Sequence, residues 1–268
     1  MPSRNVTIQD TSPLIQYGSG WSDVLPSFNP QNFSGYDGPS CHSTSGEASV
    51  NAFRLNHFYA SSVYVYGTIT SDVEFVAVTY SAGSPFPILN DTVTATALSN
   101  TTNSTLLYQQ QRFYSSRPHD LAITVTKGKR FSLDYVILEY SYGNEDATSS
   151  SHDIYLNSSS PAFSYDPGPA GQWRTDLMPG EHSTSTVGSA VNIDFRGSSI
   201  EVYGTTFTNT SFDYTCDGEQ FGKGVGSTDV QSYATQSKQL LCVCNNMEEG
   251  LHRVRLVNDG PVRSSYRR

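Results

Sequence analysis

The sequence predicts an all-β protein made of two tandem β-sandwich domains, the second lacking its final strand. Three observations lead there. Apolar and polar residues alternate over short runs that end at Gly, Pro or Asn turns, the period of a half-buried strand. No segment shows a capped 3.6-residue period. A set of landmarks also occurs twice in the same order, with loops of different length between them. The period of that repeat is too long for a solenoid, so each copy reads as a domain.

The landmarks run as follows. Thr11-Ser-Pro-Leu-Ile-Gln-Tyr17 matches Ser159-Ser-Pro-Ala-Phe-Ser-Tyr165, and each is followed by a Gly-containing turn and a tryptophan, Trp21 and Trp173. His42-Ser-Thr-Ser45 matches His182-Ser-Thr-Ser185. Phe58-Tyr-Ala-Ser-Ser-Val-Tyr-Val-Tyr-Gly-Thr68 matches Phe195-Arg-Gly-Ser-Ser-Ile-Glu-Val-Tyr-Gly-Thr205, and His119 aligns with His252 ahead of an alternating run. Val63–Tyr66 and Ile200–Tyr203 read as strands ending at Gly, and Phe131–Tyr140 as a long strand with one buried face. Asp217-Gly218 is a hairpin signal after Phe212–Cys216. The domains are therefore 1–142 and 152–268, with the polar stretch 143–151 as linker. The counterpart of Leu133–Tyr140 would begin only at Tyr266-Arg-Arg268, so the second copy reads as C-terminally truncated with an unpaired β-edge. The basic end Arg263–Arg268 can blunt that edge.

Composition excludes several functions. The chain has 268 residues, Lys+Arg 16 against Asp+Glu 25, and a formal net charge of −9. So acidic a chain repels phosphate backbones, which argues against a nucleic-acid partner. Aromatic content of 12% is not that of a disordered chain. Asn-X-Ser/Thr acceptors at Asn5, Asn32, Asn90, Asn100, Asn103, Asn157 and Asn209 point to an extracellular or cell-surface glycoprotein. Neither a signal peptide nor a membrane span is present in the sequence, so any membrane association needs a segment absent from it.

Cys242 and Cys244 lie two apart, which on a strand puts both sulfurs on one face. One of them can bridge to Cys216 in an oxidising compartment; Cys216–Cys242 is the expected pair, with Cys244 as the alternative. A Cys/His metal site with His252 is disfavoured, because no second paired-cysteine element completes it. No cofactor is expected. A structural Ca²⁺ at Asp134 is considered, but no acidic ligand loop accompanies that residue.

Val6–Tyr17 with Trp21, Ser62–Thr68, His119–Val125 and Leu133–Val136 resemble a group of basidiomycete, mushroom-type fungal cell-surface proteins. The resemblance covers nearly the whole chain. It implies an ectodomain of two jelly-roll domains of the galactose-binding-like type, commonly followed by a Ser/Thr-rich segment and a single membrane span. Cys216-Asp-Gly218 and Leu241-Cys242 resemble its second domain, where a Cys pair is usual. Members are mostly uncharacterised, so it implies a fold and a location rather than a reaction. This chain departs from the pattern in lacking the last strand and the span.

Trp21, Trp173, Tyr17, Tyr165, His42 and His182 are the candidate ligand-binding residues. An exposed aromatic face can stack on the C–H face of a sugar, and a neutral His can orient a ligand. Each has a plainer reading: a Trp that closes a sandwich core in both copies, a His that bonds a loop, and strand tyrosines such as Tyr64, Tyr66 and Tyr203 that pack. No Gly-X-Ser-X-Gly elbow, His-Glu-X-X-His or phosphate-cradling Gly-rich motif occurs, so no catalytic residue is assigned. The leading expectation is non-enzymatic recognition of a glycan or cell-wall polysaccharide around Trp21 and Trp173, with avidity from repetition. The alternatives are a structural or protein-interaction ectodomain, and a divergent glycoside hydrolase with two carboxylates about 5–10 Å apart.

Overall fold

The computed structural model describes residues 3–18, 20–24, 41–44, 51–70, 72–81, 87–94, 104–111, 113, 117–128, 130–141, 154–169, 171–175, 182–206, 210–225, 239–245 and 247–261. Among them all regular structure is β. The first copy contributes β1 (Ser3–Gln9), β2 (Ile15–Tyr17), β3 (Trp21–Val24), β4 (Cys41–Thr44), β5 (Asn51–Phe58), β6 (Ser62–Ile69), β7 (Glu74–Ser81), β8 (Pro87–Thr94), β9 (Thr105–Gln111), β10 (His119–Lys127) and β11 (Phe131–Ser141). The second contributes β12 (Phe163–Asp166), β13 (Ala190–Gly197), β14 (Ile200–Gly204), β15 (Thr210–Cys216), β16 (Glu219–Val225), β17 (Gln239–Cys244) and β18 (Gly250–Pro261). The linker 143–151 lies outside the described residues.

The first copy is a jelly-roll sandwich of two antiparallel sheets. One runs β3-β4-β11-β6-β9, with β1 also paired to β11; the other runs β2-β5-β10-β7-β8. The alternation that predicted the strands decides what faces inward. On β10, Leu121, Ile123 and Val125 are buried while Ala122 and Thr124 between them are half-buried. Between the sheets the aromatic rings meet edge to face: Trp21 against Phe53 at 5.6 Å and Phe131 at 5.8 Å, and Phe75 against Phe131 at 5.3 Å. Such pairs contribute roughly 0.5–1.5 kcal/mol each beyond their burial. β11 departs from a one-faced strand, because Ser132 and Asp134 are buried as well. Ser132 is covered by Ser43 and Arg130, with which it hydrogen-bonds.

The second copy repeats one sheet in full, β12-β13-β18-β15-β16, in the order of β2-β5-β10-β7-β8. Asp217-Gly218 closes the β15–β16 hairpin with both residues at positive φ, 52° and 83°, where Asp is tolerated and Gly is free of strain. Among the described residues, β14 and β17, the counterparts of β6 and β9, form the sheet that faces it. Among the described residues no strand takes the place of β11.

The disulfide corrects the expected pairing: Cys216 is bonded to Cys244, with Cα atoms 6.3 Å apart, and Cys242 is a buried free thiol. Period two cannot choose between the two cysteines, but the facing of the sheets can. Cys216 ends β15 opposite the end of β17, where Cys244 lies, while Cys242 lies one pleat further in, next to Tyr214.

The copies share one continuous apolar core. Ser12 Oγ donates to the Leu240 carbonyl at 2.8 Å, and Val225 N–H to the Pro13 carbonyl at 2.8 Å. Asn245 donates to the Tyr59 carbonyl, and Arg4 pairs with Glu201 at 3.0 Å.

Candidate functional site

The repeated Ser-Pro segment folds the same way in both copies, bond for bond. Pro favours the φ that such a turn needs, and the preceding Ser caps it with its own hydroxyl. In the first copy Ser12 N–H donates to Gln9 O at 2.9 Å, Ile15 N–H to Ser12 O at 3.0 Å, and Leu14 N–H to Ser12 Oγ at 3.3 Å. In the second, Ser160 N–H donates to Asn157 O at 2.9 Å, Phe163 N–H to Ser160 O at 3.0 Å, and Ala162 N–H to Ser160 Oγ at 3.3 Å.

The strand leaving the turn then positions an aromatic cluster. Tyr17 donates its hydroxyl to Asp10 O at 2.8 Å, and Tyr165 to Ser158 O at 2.7 Å. Each tyrosine stacks on the repeated histidine: Tyr17 on His42 at 3.9 Å and 5°, Tyr165 on His182 at 4.1 Å and 11°. Each also leans on the repeated tryptophan, Tyr17 on Trp21 at 5.2 Å and Tyr165 on Trp173 at 4.8 Å. One substitution distinguishes the copies. His42 Nδ1 pairs with the Asp10 carboxylate at 2.8 Å, whereas His182 Nδ1 meets the Ser158 hydroxyl at 3.2 Å.

Surroundings separate them further. In the first copy Leu240 and Val225 of the second bond the Ser12-Pro13 turn; Asp10, Ser12, His42 and Trp21 are buried, and Tyr17 is half-buried. The second cluster opens onto a cavity of about 450 Å³, walled by Ser158, Ser160, Pro161, Phe163, Tyr165 and His182 together with Ser159 and Thr175. Hydroxyls, an imidazole and aromatic faces line it, and none of these residues is an acid. Burial holds the Tyr165 phenol above its ordinary pKa, against the Ser158 hydrogen bond that lowers it, so the ring carries a proton donor at neutral pH. Trp173 is not part of the wall. It donates Nε1–H to Asp166 O at 2.9 Å and braces Tyr165 from behind.

The candidate residues thus divide. Tyr165 and His182 stand together in the open cavity, with Trp173 behind them. Tyr17, His42 and Trp21 form the same constellation with His42 and Trp21 buried, and Trp21 packs in the core rather than on a binding surface. His119 is buried against Phe113 at 4.7 Å, whereas His252 bonds Asp217 and the Glu248 carbonyl. Asp134 is buried in β11, its carbonyl accepting from Asp10 N–H at 2.9 Å. Among the described residues no three metal-ligating side chains cluster. Tyr64 and Tyr66 pack on β11, through Glu139 and Tyr135. Of the glycosylation acceptors, Asn5 and Asn157 are exposed and Asn90 lies on β8. Asn32, Asn100, Asn103 and Asn209 lie outside the described residues. Ser158, Ser160, Pro161, Phe163 and Thr175 were not singled out beforehand, although most sit in the repeated Ser-Pro segment.

No protein-family model matches the chain, and no curated protein matches it. Among solved structures the chain is similar to a family two carbohydrate esterase from Cellvibrio japonicus, at 11% identity and a TM-score of 0.34, over 52% of this chain and 35% of the esterase's length. It is similar to the C-terminal CBM6 of LamC, a marine laminarinase from Zobellia galactanivorans, at 9% identity and a TM-score of 0.35, over 52% of this chain and 100% of that module. It is also similar to the tandem CBM51 modules of a family 98 glycoside hydrolase from Streptococcus pneumoniae, at 10% identity and a TM-score of 0.30, over 98% of this chain and 96% of that one.

Proposed function

We propose that the chain is an extracellular, cell-surface carbohydrate-recognition ectodomain that binds through the second copy's cavity. The observation that carries this reading is the paired cluster: one constellation of Tyr, His and Trp, its His and Trp buried in the first copy, its Tyr and His lining an open cavity in the second. An open wall of Ser and Thr hydroxyls beside the Tyr165 ring suits a sugar, whose C–H faces stack on aromatic rings and whose hydroxyls exchange hydrogen bonds. The binding valence is one site per chain, not two, because His42 and Trp21 are buried. The resemblance to basidiomycete surface proteins fits this placement, and the glycosylation acceptors agree with it.

A glycan-array screen of the whole chain tests the proposal, with Tyr165→Ala and Trp173→Ala as site variants. Binding by wild type that both variants weaken supports it; a silent wild type rejects it. Trp21→Ala is the stability control, expected to cost about 3–5 kcal/mol. The second reading is a structural or protein-interaction ectodomain, favoured by the burial of Trp21 and His42. A glycoside hydrolase is not favoured, since the cavity's lining carries no carboxylate pair.

A further inference from the structure

The cavity of the second copy carries an acceptor for N-linked sugar on its rim. Asn157-Ser158-Ser159 is an Asn-X-Ser sequence, and its last two residues wall the cavity. Asn157 is exposed. Its Oδ1 accepts from Ser159 N–H at 3.1 Å, which folds the carboxamide back over a residue of the wall. Nδ2, the atom that takes an N-linked sugar, belongs to the same planar group and so lies within roughly 5–6 Å of the Ser159 nitrogen. Among the described residues this Nδ2 makes no bond. Acceptor and cavity are parts of one bonded unit: Ser160 N–H donates to Asn157 O at 2.9 Å, and Tyr165 donates its hydroxyl to Ser158 O at 2.7 Å.

The first copy supplies the contrast. Gln9 O accepts from Ser12 N–H as Asn157 O accepts from Ser160 N–H, so Gln9-Asp10-Thr11 stands where Asn157-Ser158-Ser159 stands. Glutamine does not accept an N-linked sugar. At this turn the acceptor is therefore present in the copy whose cluster opens onto a cavity, and absent from the copy whose His42 and Trp21 are buried.

We propose that Asn157 is a modification site whose N-linked glycan folds into the cavity and shuts it to free glycans. The inference rests on the carbohydrate reading of this cavity, and adds to it a regulation and a sugar class, N-acetylhexosamine. The first two sugars of an N-linked glycan are N-acetylglucosamine. Their hydroxyls and acetamides match the polar groups of Ser158, Ser160, Thr175 and His182, and their C–H faces and acetyl methyls match the rings of Phe163 and Tyr165. The cavity of about 450 Å³ lies within the roughly 300–1,000 Å³ of small-ligand sites. A short tether gives the attached sugar a millimolar effective concentration, so a contact with a Kd of about 0.1 mM suffices to weaken a free competitor about tenfold.

The test compares chain 1–268 secreted with N-glycans from a eukaryotic host and the same chain made in a bacterial periplasm, which oxidises the disulfide and adds no such glycan. Glycopeptide mass spectrometry reads the occupancy of Asn157. The probe is N,N′-diacetylchitobiose, followed by NMR of the His182 imidazole. The unglycosylated chain should bind it saturably, and the glycosylated chain at least about tenfold more weakly. Asn157→Asp keeps the Oδ1 that accepts from Ser159 N–H, and Ser159→Ala keeps Asn157; each removes the acceptor sequence. Made in the eukaryotic host, both variants should regain the affinity of the unglycosylated chain, and made in the periplasm both should bind like wild type. The proposal is overturned if Asn157 of the secreted chain is unmodified, if the two preparations bind the probe alike, or if neither binds it. A glycan array of the unglycosylated chain then separates the two failures: binding there keeps the carbohydrate reading without this occupant, and silence removes both.

Discussion

Ser12 donates its hydroxyl to the Leu240 carbonyl at 2.8 Å, and through that bond a turn of one copy is closed by a strand of the other. Both residues are buried, and Pro13 and Val225 continue the seam. Because the apolar core is continuous across it, the copies should unfold together. Ser12→Ala strands a buried carbonyl, an effect on the order of 1–3 kcal/mol. Ser160→Ala, at the same turn position without that seam, should cost under about 1 kcal/mol. Urea unfolding followed by tryptophan fluorescence checks both values, and two separate transitions in wild type would contradict the shared core.

A second contrast lies one turn away. Asp10 and His42 form a buried pair, whereas Ser158 and His182 meet as a half-buried hydrogen bond. Removing one partner of a buried pair leaves the other without its compensation, typically 3–5 kcal/mol. Asp10→Ala should therefore destabilise by about that amount, and Ser158→Ala by about 1 kcal/mol or less. Ser158→Ala should instead weaken glycan binding, as the hydroxyl lines the cavity. Denaturation midpoints alongside glycan affinity separate the two effects.

Much of this architecture was legible in the residues. Leu121, Ile123 and Val125 announce their strand by alternation, and Asp217-Gly218 announces its hairpin. Pairing His119 with His252 identifies β18 as the counterpart of β10. What stayed hidden depends on packing between segments far apart in the chain. Trp21 and Trp173 align well as sequence, yet one is core and the other half-buried, because only Trp21 packs between two sheets, against Phe53 and Phe131. Likewise a period of two puts Cys242 and Cys244 on one face, and only the facing of two sheets selects between them. The open cavity is legible in neither copy alone; it is the difference between them.

The cysteine arrangement makes its own prediction. Cys216–Cys244 closes a loop with a sequence separation of 28, so Cys244→Ser should cost on the order of 3–4 kcal/mol. Cys242 is buried beside Tyr214, and burial pushes its thiol well above the ordinary range. It should resist alkylation in the native state and react once the chain is unfolded. Peptide mapping should recover Cys216 linked to Cys244; recovery of a Cys216–Cys242 peptide would contradict the arrangement.

The Asp217–His252 pair should set a pH dependence at the β15–β16 hairpin. The two side chains meet at 2.6 Å, and the Glu248 carbonyl takes the other imidazole nitrogen at 2.7 Å. Burial pulls the His252 pKa down, but the Asp217 hydrogen bond and the Glu248 carbonyl outweigh it and raise it above 6.5. Asp217 is held below 3.8, first by the Arg253 backbone N–H and then, against some desolvation, by His252. A histidine raised in the folded state contributes stability that is complete below 6.5 and fades as pH rises through the folded pKa. A carboxylate lowered in the folded state contributes above 3.8 and fades as pH falls through its folded pKa. Their joint contribution is therefore full between those two values and declines on either side. Asp217→Asn retains a residue suited to the positive φ of 52° while removing the charge. It should lower the His252 titration midpoint and flatten the loss of stability above neutrality, both read by NMR of the imidazole and by thermal melts across pH. An unchanged midpoint in Asp217→Asn would show that the carboxylate does not hold the proton.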